Sequence, residues 1–122
     1  MGQRILIVDD SPQFRAMAAE LLAERGFDVL GVVGDGEQAL ATVGQVCPDG
    51  VLLDINLPGR DGFAVAASLA AACPAARIVL TSADFARLPD GLLDRCAAAA
   101  FVAKEELAAA DLGQLFTTPA SR

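Results

Sequence analysis

The sequence predicts an α/β fold, a parallel β-sheet covered by helices on both faces. Short, continuous runs rich in Val, Ile and Leu recur along the chain, the pattern of strands buried on both sides. Apolar residues at helical spacing fill most of the stretches between them. The composition agrees: 54% of the 122 residues are hydrophobic and 20% are charged, enough apolar surface for a full core and too much for a disordered chain. A chain of 122 residues amounts to about one domain.

Residues 3–8 (QRILIV) form the first apolar run, which stops at Asp9-Asp10. Ser11 is suited to cap a helix and Pro12 to open it. Phe14, Met17, Ala18, Leu21 and Leu22 follow at helical spacing, and Gly26 ends the segment. Residues 28–33 (DVLGVV) read as a second strand, and residues 36–46 as a helix with Ala39, Leu40 and Val43 on one face. Residues 50–53 (GVLL) form a third strand that again stops at an acid, Asp54. After the loop Leu57-Pro58-Gly59, a helix opens at Asp61 or Gly62 and runs to about residue 72. Residues 77–81 (RIVLT) are a fourth strand, 89–97 a short helix, 99–103 a fifth strand and 104–116 the last helix. Residues 117–122 read as a frayed tail. The result is five βα units, with the folded domain over 1–116.

Charge and composition exclude several functions. Sixteen acidic and nine basic residues leave a net charge of −7, a surface that repels phosphate backbones and argues against direct nucleic-acid binding. The chain has no His, so a His base and His metal ligands are excluded. No apolar run approaches the roughly 18 residues that a membrane span requires, and Asp9-Asp10 interrupt any secretion-signal pattern. A cytoplasmic location is expected. The scattered cysteines Cys47, Cys73 and Cys96 form no CxxC motif and read as reduced filler.

The chemistry gathers at the strand ends. Ligands of open parallel α/β sheets sit beyond the carboxyl ends of the strands. Asp9 and Asp10 follow the first strand and Asp54 the third. In a sheet ordered 2-1-3-4-5 those strands are neighbours, and the carboxylates meet in one crevice. Taken singly, Asp9-Asp10 reads as a loop start and Asp54 as a helix-capping acid. Taken together, like charges so close call for a cation, and a hard, oxygen-seeking ion such as Mg²⁺ fits. Thr81-Ser82 at the end of the fourth strand offers a hydroxyl to hold a phosphate oxygen. Lys104, at the end of the fifth strand, is the only lysine in the chain. Its compact ammonium suits a point contact to a phosphate or carboxylate.

Asp9-Asp10, the stretch DINLPGRDG from Asp54 to Gly62, Ser82-Ala83 and Phe101-Val102-Ala103-Lys104 together resemble the receiver domain of two-component response regulators. The resemblance runs nearly the length of the chain. It implies a flavodoxin-like (βα)5 three-layer sandwich with strand order 2-1-3-4-5. It implies that Asp54 accepts a phosphoryl group from a histidine kinase or histidine phosphotransfer protein. It implies further that Asp10, Asp54 and the backbone carbonyl of Asn56 hold Mg²⁺, with Asp9 acting largely through water. Ser82 is then the switch hydroxyl, preferred to Thr81 because Ser82-Ala83 matches the family's hydroxyl-Ala pair. Lys104 pairs with the phosphoryl group, and Phe101 is the switch aromatic. The chain would be a stand-alone receiver, monomeric or weakly dimeric, signalling through a downstream protein not named by the sequence and catalysing only its own phosphorylation and dephosphorylation.

There are departures from the pattern. Glu105 stands where the family usually has Pro, and Phe101 where it often has Tyr. The Lys104–Glu105 bond is therefore expected to be trans, because a cis bond before a non-proline residue costs about 2.5–4 kcal/mol. Glu105 and Glu106 are expected in the first turn of the last helix, where acids favour the positive end of the dipole. Two rivals differ in class. A haloacid-dehalogenase-type hydrolase also uses a strand-end Asp, Mg²⁺, a hydroxyl and a Lys, but its general acid sits two residues after the nucleophile. Here that position is Asn56. A receiver-like binding module that is never phosphorylated would be expected to lose one of the site residues, and none is missing.

Overall fold

The computed structural model describes residues 3–57, 59, 61–82 and 99–116. The strands are β1 (Arg4–Val8), β2 (Asp28–Val33), β3 (Gly50–Asp54), β4 (Arg77–Ser82) and β5 (Ala100–Ala103). The helices are α1 (Pro12–Glu24), α2 (Gly36–Val43), α3 (Gly62–Ala72), a 3-10 helix (Lys104–Ala109) and α4 (Leu112–Phe116). The strands pair in parallel in the order β2-β1-β3-β4-β5. The helix expected at 89–97, Ala83, Cys96 and the tail at 117–122 lie outside the described residues.

Alternation along each strand explains the layers. Leu6, Val8, Val51, Leu53, Ile78 and Leu80 face one way and pack on Ala39 and Val43 of α2 and Val65, Ala66 and Leu69 of α3. Ile5, Ile7, Leu52, Val79 and Val102 face the other way, against Phe14, Ala18 and Leu22 of α1 and Leu112 and Phe116 of α4. A central strand buried on both faces is thus apolar at every position while still obeying the two-residue period.

Side-chain caps set the helix starts. Ser11 accepts a bond from the Phe14 N–H at 3.2 Å, Asp35 from the Gln38 N–H at 2.8 Å and Asp61 from the Phe63 N–H at 3.0 Å. Gly62 is dictated by a close approach. A Cβ there would lie 2.4 Å from the Ile55 Cα, so only glycine lets α3 start against the loop leaving β3.

Two expectations are corrected. The last helix is not continuous over 104–116. The 3-10 helix ends at Ala110, which is extended at φ −75° and ψ 155°, and α4 begins afresh at Leu112. Asp111 Oδ1 accepts from the Gln114 N–H at 3.2 Å, the bond of a capping carboxylate, so Asp111 restarts the helix. The Arg25 guanidinium, at the end of α1, donates to the Ala108 carbonyl and to the Ala110 carbonyl at 3.2 Å, holding this break in place. Cys47 and Cys73, expected to be reduced, form a disulfide across a Cα–Cα distance of 5.7 Å. They are 26 residues apart in sequence, and the fold brings them together because α2 and α3 pack side by side on one face of the sheet. No helix among the described residues is long and apolar enough to cross a membrane.

Candidate functional site

Strand register builds the site. Val8 pairs with Leu53, so Asp9 emerges from β1 beside Asp54 at the end of β3. Asp54 pairs with Thr81, and Ser82 pairs with Ala103, which places Lys104 at the same edge of the sheet. Ligand-atom positions of Asp9, Asp10 and Asp54 all lie within 4.8 Å of one another. Asp9 and Asp54 are buried and Asp10 is exposed.

Each buried carboxylate is held on one side by a backbone N–H. The Ser11 N–H donates to Asp9 Oδ1 at 2.8 Å, and the Asn56 N–H donates to Asp54 Oδ1 at 2.9 Å. The Arg15 guanidinium donates to the Asp9 carbonyl at 2.7 Å and so ties the turn after β1 to α1. The other oxygens face Lys104. Its Nζ lies 2.7 Å from Asp9 Oδ2 and 3.4 Å from Asp54 Oδ2. The Lys104–Glu105 bond is trans, since the described residues contain no cis peptide, and Glu105 and Glu106 occupy the first turn of the 3-10 helix. A trans bond therefore still delivers the ammonium to the carboxylates.

Electrostatics follow from this packing. Burial pushes the Asp54 carboxyl above its ordinary value. The Asn56 N–H works against that shift, the Asp9 charge adds to it and Lys104 partly offsets it. Burial alone would lower Lys104, but its hydrogen bond to Asp9 and the charges of Asp54 and Asp9 outweigh it, and its pKa rises. The lysine is firmly cationic.

The hydroxyl side of the site is less open than its strand-end position suggests. Ser82 is fully buried, and the Asn56 Nδ2 donates to its Oγ at 3.0 Å. Thr81 is equally buried, and its Oγ1 has no hydrogen-bond partner. Ser82, not Thr81, is thus the hydroxyl linked to the loop beyond Asp54. Phe101 is half-buried on the opposite face of the sheet from α1, packed against the cluster that contains Leu80 and Leu53.

The donor set suits a hard divalent cation. Three carboxylates against one ammonium leave two negative charges in one pocket, and every acidic ligand is an oxygen. Sequence reasoning missed two partners of this site. Arg15 and Phe14 both lie on α1, and Phe14 presents its ring to the Lys104 ammonium. Their helical spacing marks them only as parts of α1.

Comparison with known proteins places the chain in a family. Residues 5–112 fit the family described as the response regulator receiver domain. The chain is 45% identical over 82 residues to the DNA-binding response regulator MtrA of Mycolicibacterium smegmatis, covering 67% of this chain and 36% of that protein. It is 36% identical over 117 residues to a protein-glutamate methylesterase/protein-glutamine glutaminase of Anaeromyxobacter dehalogenans, covering 91% of this chain and 32% of that protein. It therefore spans about a third of the length of these relatives. Among solved structures, a LuxR-family two-component response regulator from an Aurantimonas species superposes with a TM-score of 0.82 at 27% identity, over 93% of this chain and 81% of that one.

Proposed function

The chain belongs to the response regulator receiver domain family, and from that premise we propose that it accepts a phosphoryl group on Asp54 from a histidine kinase or histidine phosphotransfer protein. The observation that carries this reading is the pairing of one buried carboxylate, Asp54, with a cation 3.4 Å away and further acids within 4.8 Å. Such a carboxylate is a weak nucleophile that forms an acyl phosphate when the charge on the transferring group is neutralised.

Asp10, Asp54 and the Asn56 carbonyl would hold Mg²⁺, with Asp9 contributing through water. When bound, the ion neutralises negative charge on the phosphoryl oxygens. The chain's own residues do the rest. The Asn56 N–H orients the acceptor through Oδ1, leaving Oδ2 on the Lys104 side. Lys104 transfers its attention from Asp54 to the phosphoryl group, while Asp9 keeps it anchored. Ser82 exchanges its bond from Asn56 for one to a phosphoryl oxygen. Phe101 moves into the space this leaves and, without a hydroxyl, settles by packing alone. The expected result is a population shift in which some inactive form persists.

On this reading the protein is not an enzyme for external substrates and catalyses only its own phosphorylation and dephosphorylation. It acts in the cytoplasm by binding a downstream protein, as a monomer or weak dimer, with the receiver over 1–116 and a tail over 117–122. Incubation with phosphoramidate and Mg²⁺ should add one phosphoryl group, read by intact mass. EDTA or Asp54→Asn should abolish it. Normal labelling of Asp54→Asn would overturn the assignment.

A further inference from the structure

Lys104 is set by more than its carboxylates. Its Nζ lies 4.3 Å from the centroid of the Phe14 ring, within the range at which a cation is attracted to an aromatic face. Phe14 is only 8% exposed, and the lysine side chain 15%, so little water screens the contact. The backbone that carries the ring is itself held. Phe14 donates its N–H to Ser11 Oγ, and Ser11 donates its own N–H to Asp9 Oδ1. One short segment, residues 9–14, therefore presents both a carboxylate and an aromatic face to the same ammonium.

The lysine needs such a seat. Lysine carries a flexible four-carbon stem, and residue 104 is followed by Glu105 and Glu106, which do not stiffen the backbone. Two carboxylate oxygens attract the ammonium but leave its direction of approach open. The ring face supplies a third contact, from α1. Phe14 also joins the apolar cluster with Val102 of β5 and Leu107 of the 3-10 helix, so the elements on either side of Lys104 share a core with the ring.

We propose that Phe14 is a positioning residue for Lys104: its ring face seats the ammonium beside Asp9 and Asp54, so that the charge stands ready at the acceptor. Its kinetic consequence rests on the reading of Asp54 as phospho-acceptor, whereas the seating itself does not. A leucine at this position would keep most of the apolar volume and lose the attraction for a cation. A tyrosine would keep both.

Because the chain has one lysine, labelling lysine with carbon-13 at Cε yields a single NMR signal. Protons held over a ring face are shielded, so the wild-type Cε protons should resonate upfield of a free lysine. Phe14→Leu should return them to the ordinary position, and Phe14→Tyr should keep them upfield. The initial rate of Asp54 labelling by phosphoramidate at saturating Mg²⁺ should fall by about two- to thirty-fold in Phe14→Leu, the range a cation–π contact contributes. Phe14→Tyr should hold the wild-type rate. An unshifted wild-type signal, a shift that survives Phe14→Leu, or an undiminished rate in that variant would overturn the proposal. If Phe14→Leu does not fold, Phe14→Met repeats the comparison, and the wild-type signal by itself decides whether the ring lies under the ammonium. Wild-type protein that takes no phosphoryl group at all would refute the acceptor role of Asp54, and the NMR arm would still decide the seat.

Discussion

At Asp54, burial disfavours the charged form, and the neighbouring Asp9 adds to that cost. The folded state therefore binds the Asp54 proton more tightly than the unfolded chain does. Stability then falls as pH rises through the interval between the ordinary carboxylate value and the raised one, and stays lower above it. Asp54→Asn removes this loss while keeping an oxygen for the Asn56 N–H. In EDTA, thermal melts should show the variant more stable than wild type at neutral pH, with the gap closing as pH falls below the ordinary carboxylate range. A gap that is constant with pH would refute the assignment of cost to Asp54. Asp9 and Asp10 differ just as plainly. Asp9 is buried and already engaged by Ser11 and Lys104, whereas Asp10 is exposed and uncommitted to either. Asp10→Ala should therefore weaken Mg²⁺ binding by at least about tenfold, and by more than Asp9→Ala, which removes a group proposed to act through water. Calorimetric titration of both variants checks the order, and equal losses would reverse the split.

Between β3 and α3, the backbone chemistry of one glycine links packing to the proposed acceptor. The missing Cβ of Gly62 allows the helix start to approach Ile55, the residue after Asp54, and the Gly62 N–H donates to the Ile55 carbonyl at 3.2 Å. Gly62→Ala would place a methyl 2.4 Å from the Ile55 Cα, a clash that no side-chain rotation relieves. A loss of about 1–3 kcal/mol is expected in denaturant unfolding, the usual cost of overpacking, with slower Asp54 labelling because the acceptor loop must shift. A change within a few tenths of a kcal/mol would show that the loop has room. The same scale explains the broken last helix. Asp111 carries the cap that restarts α4, and Ala110 before it is extended. Asp111 lies inside an alanine-rich stretch whose helix propensity masks the break in the sequence.

Across the whole molecule, the disulfide and the site occupy opposite ends of the same elements. Cys47 precedes β3 and Cys73 follows α3, while Asp54 ends β3 and Gly62 begins α3. Reduction should therefore lower stability without touching the chemistry. A bridge closing 26 residues is worth about 2–4 kcal/mol in the chain-entropy view. Cys47→Ser, or a reductant on the wild type, should lower the melting temperature accordingly and leave the rate of Asp54 labelling unchanged. A labelling rate that falls with reduction would mean that the two ends of β3 are coupled. The charge of −7 acts on the same scale, since it adds to the acidity that a divalent cation would relieve at the site.

The alternation of strands and helices, the acids at the strand ends, the cap at Ser11 and a helix start at Asp61 or Gly62 were legible in the sequence, because each depends on neighbours within a turn or a strand. Burial on both faces wrote the strands as unbroken apolar runs, and the breaks in those runs marked Asp9 and Asp54. The resemblance carried by Asp9-Asp10, Asp54–Gly62 and Phe101–Lys104 extended this to the sheet order, which the structure shows. Contacts between distant segments were decided only by the tertiary structure. The ion pair of Lys104 with Asp9, its place over Phe14, the bond from Asn56 to Ser82 and the bridge from Cys47 to Cys73 all join segments on different elements. No local period records such pairs, because their geometry arises from the register of strands and the packing of helices, which bring together side chains that are far apart along the chain.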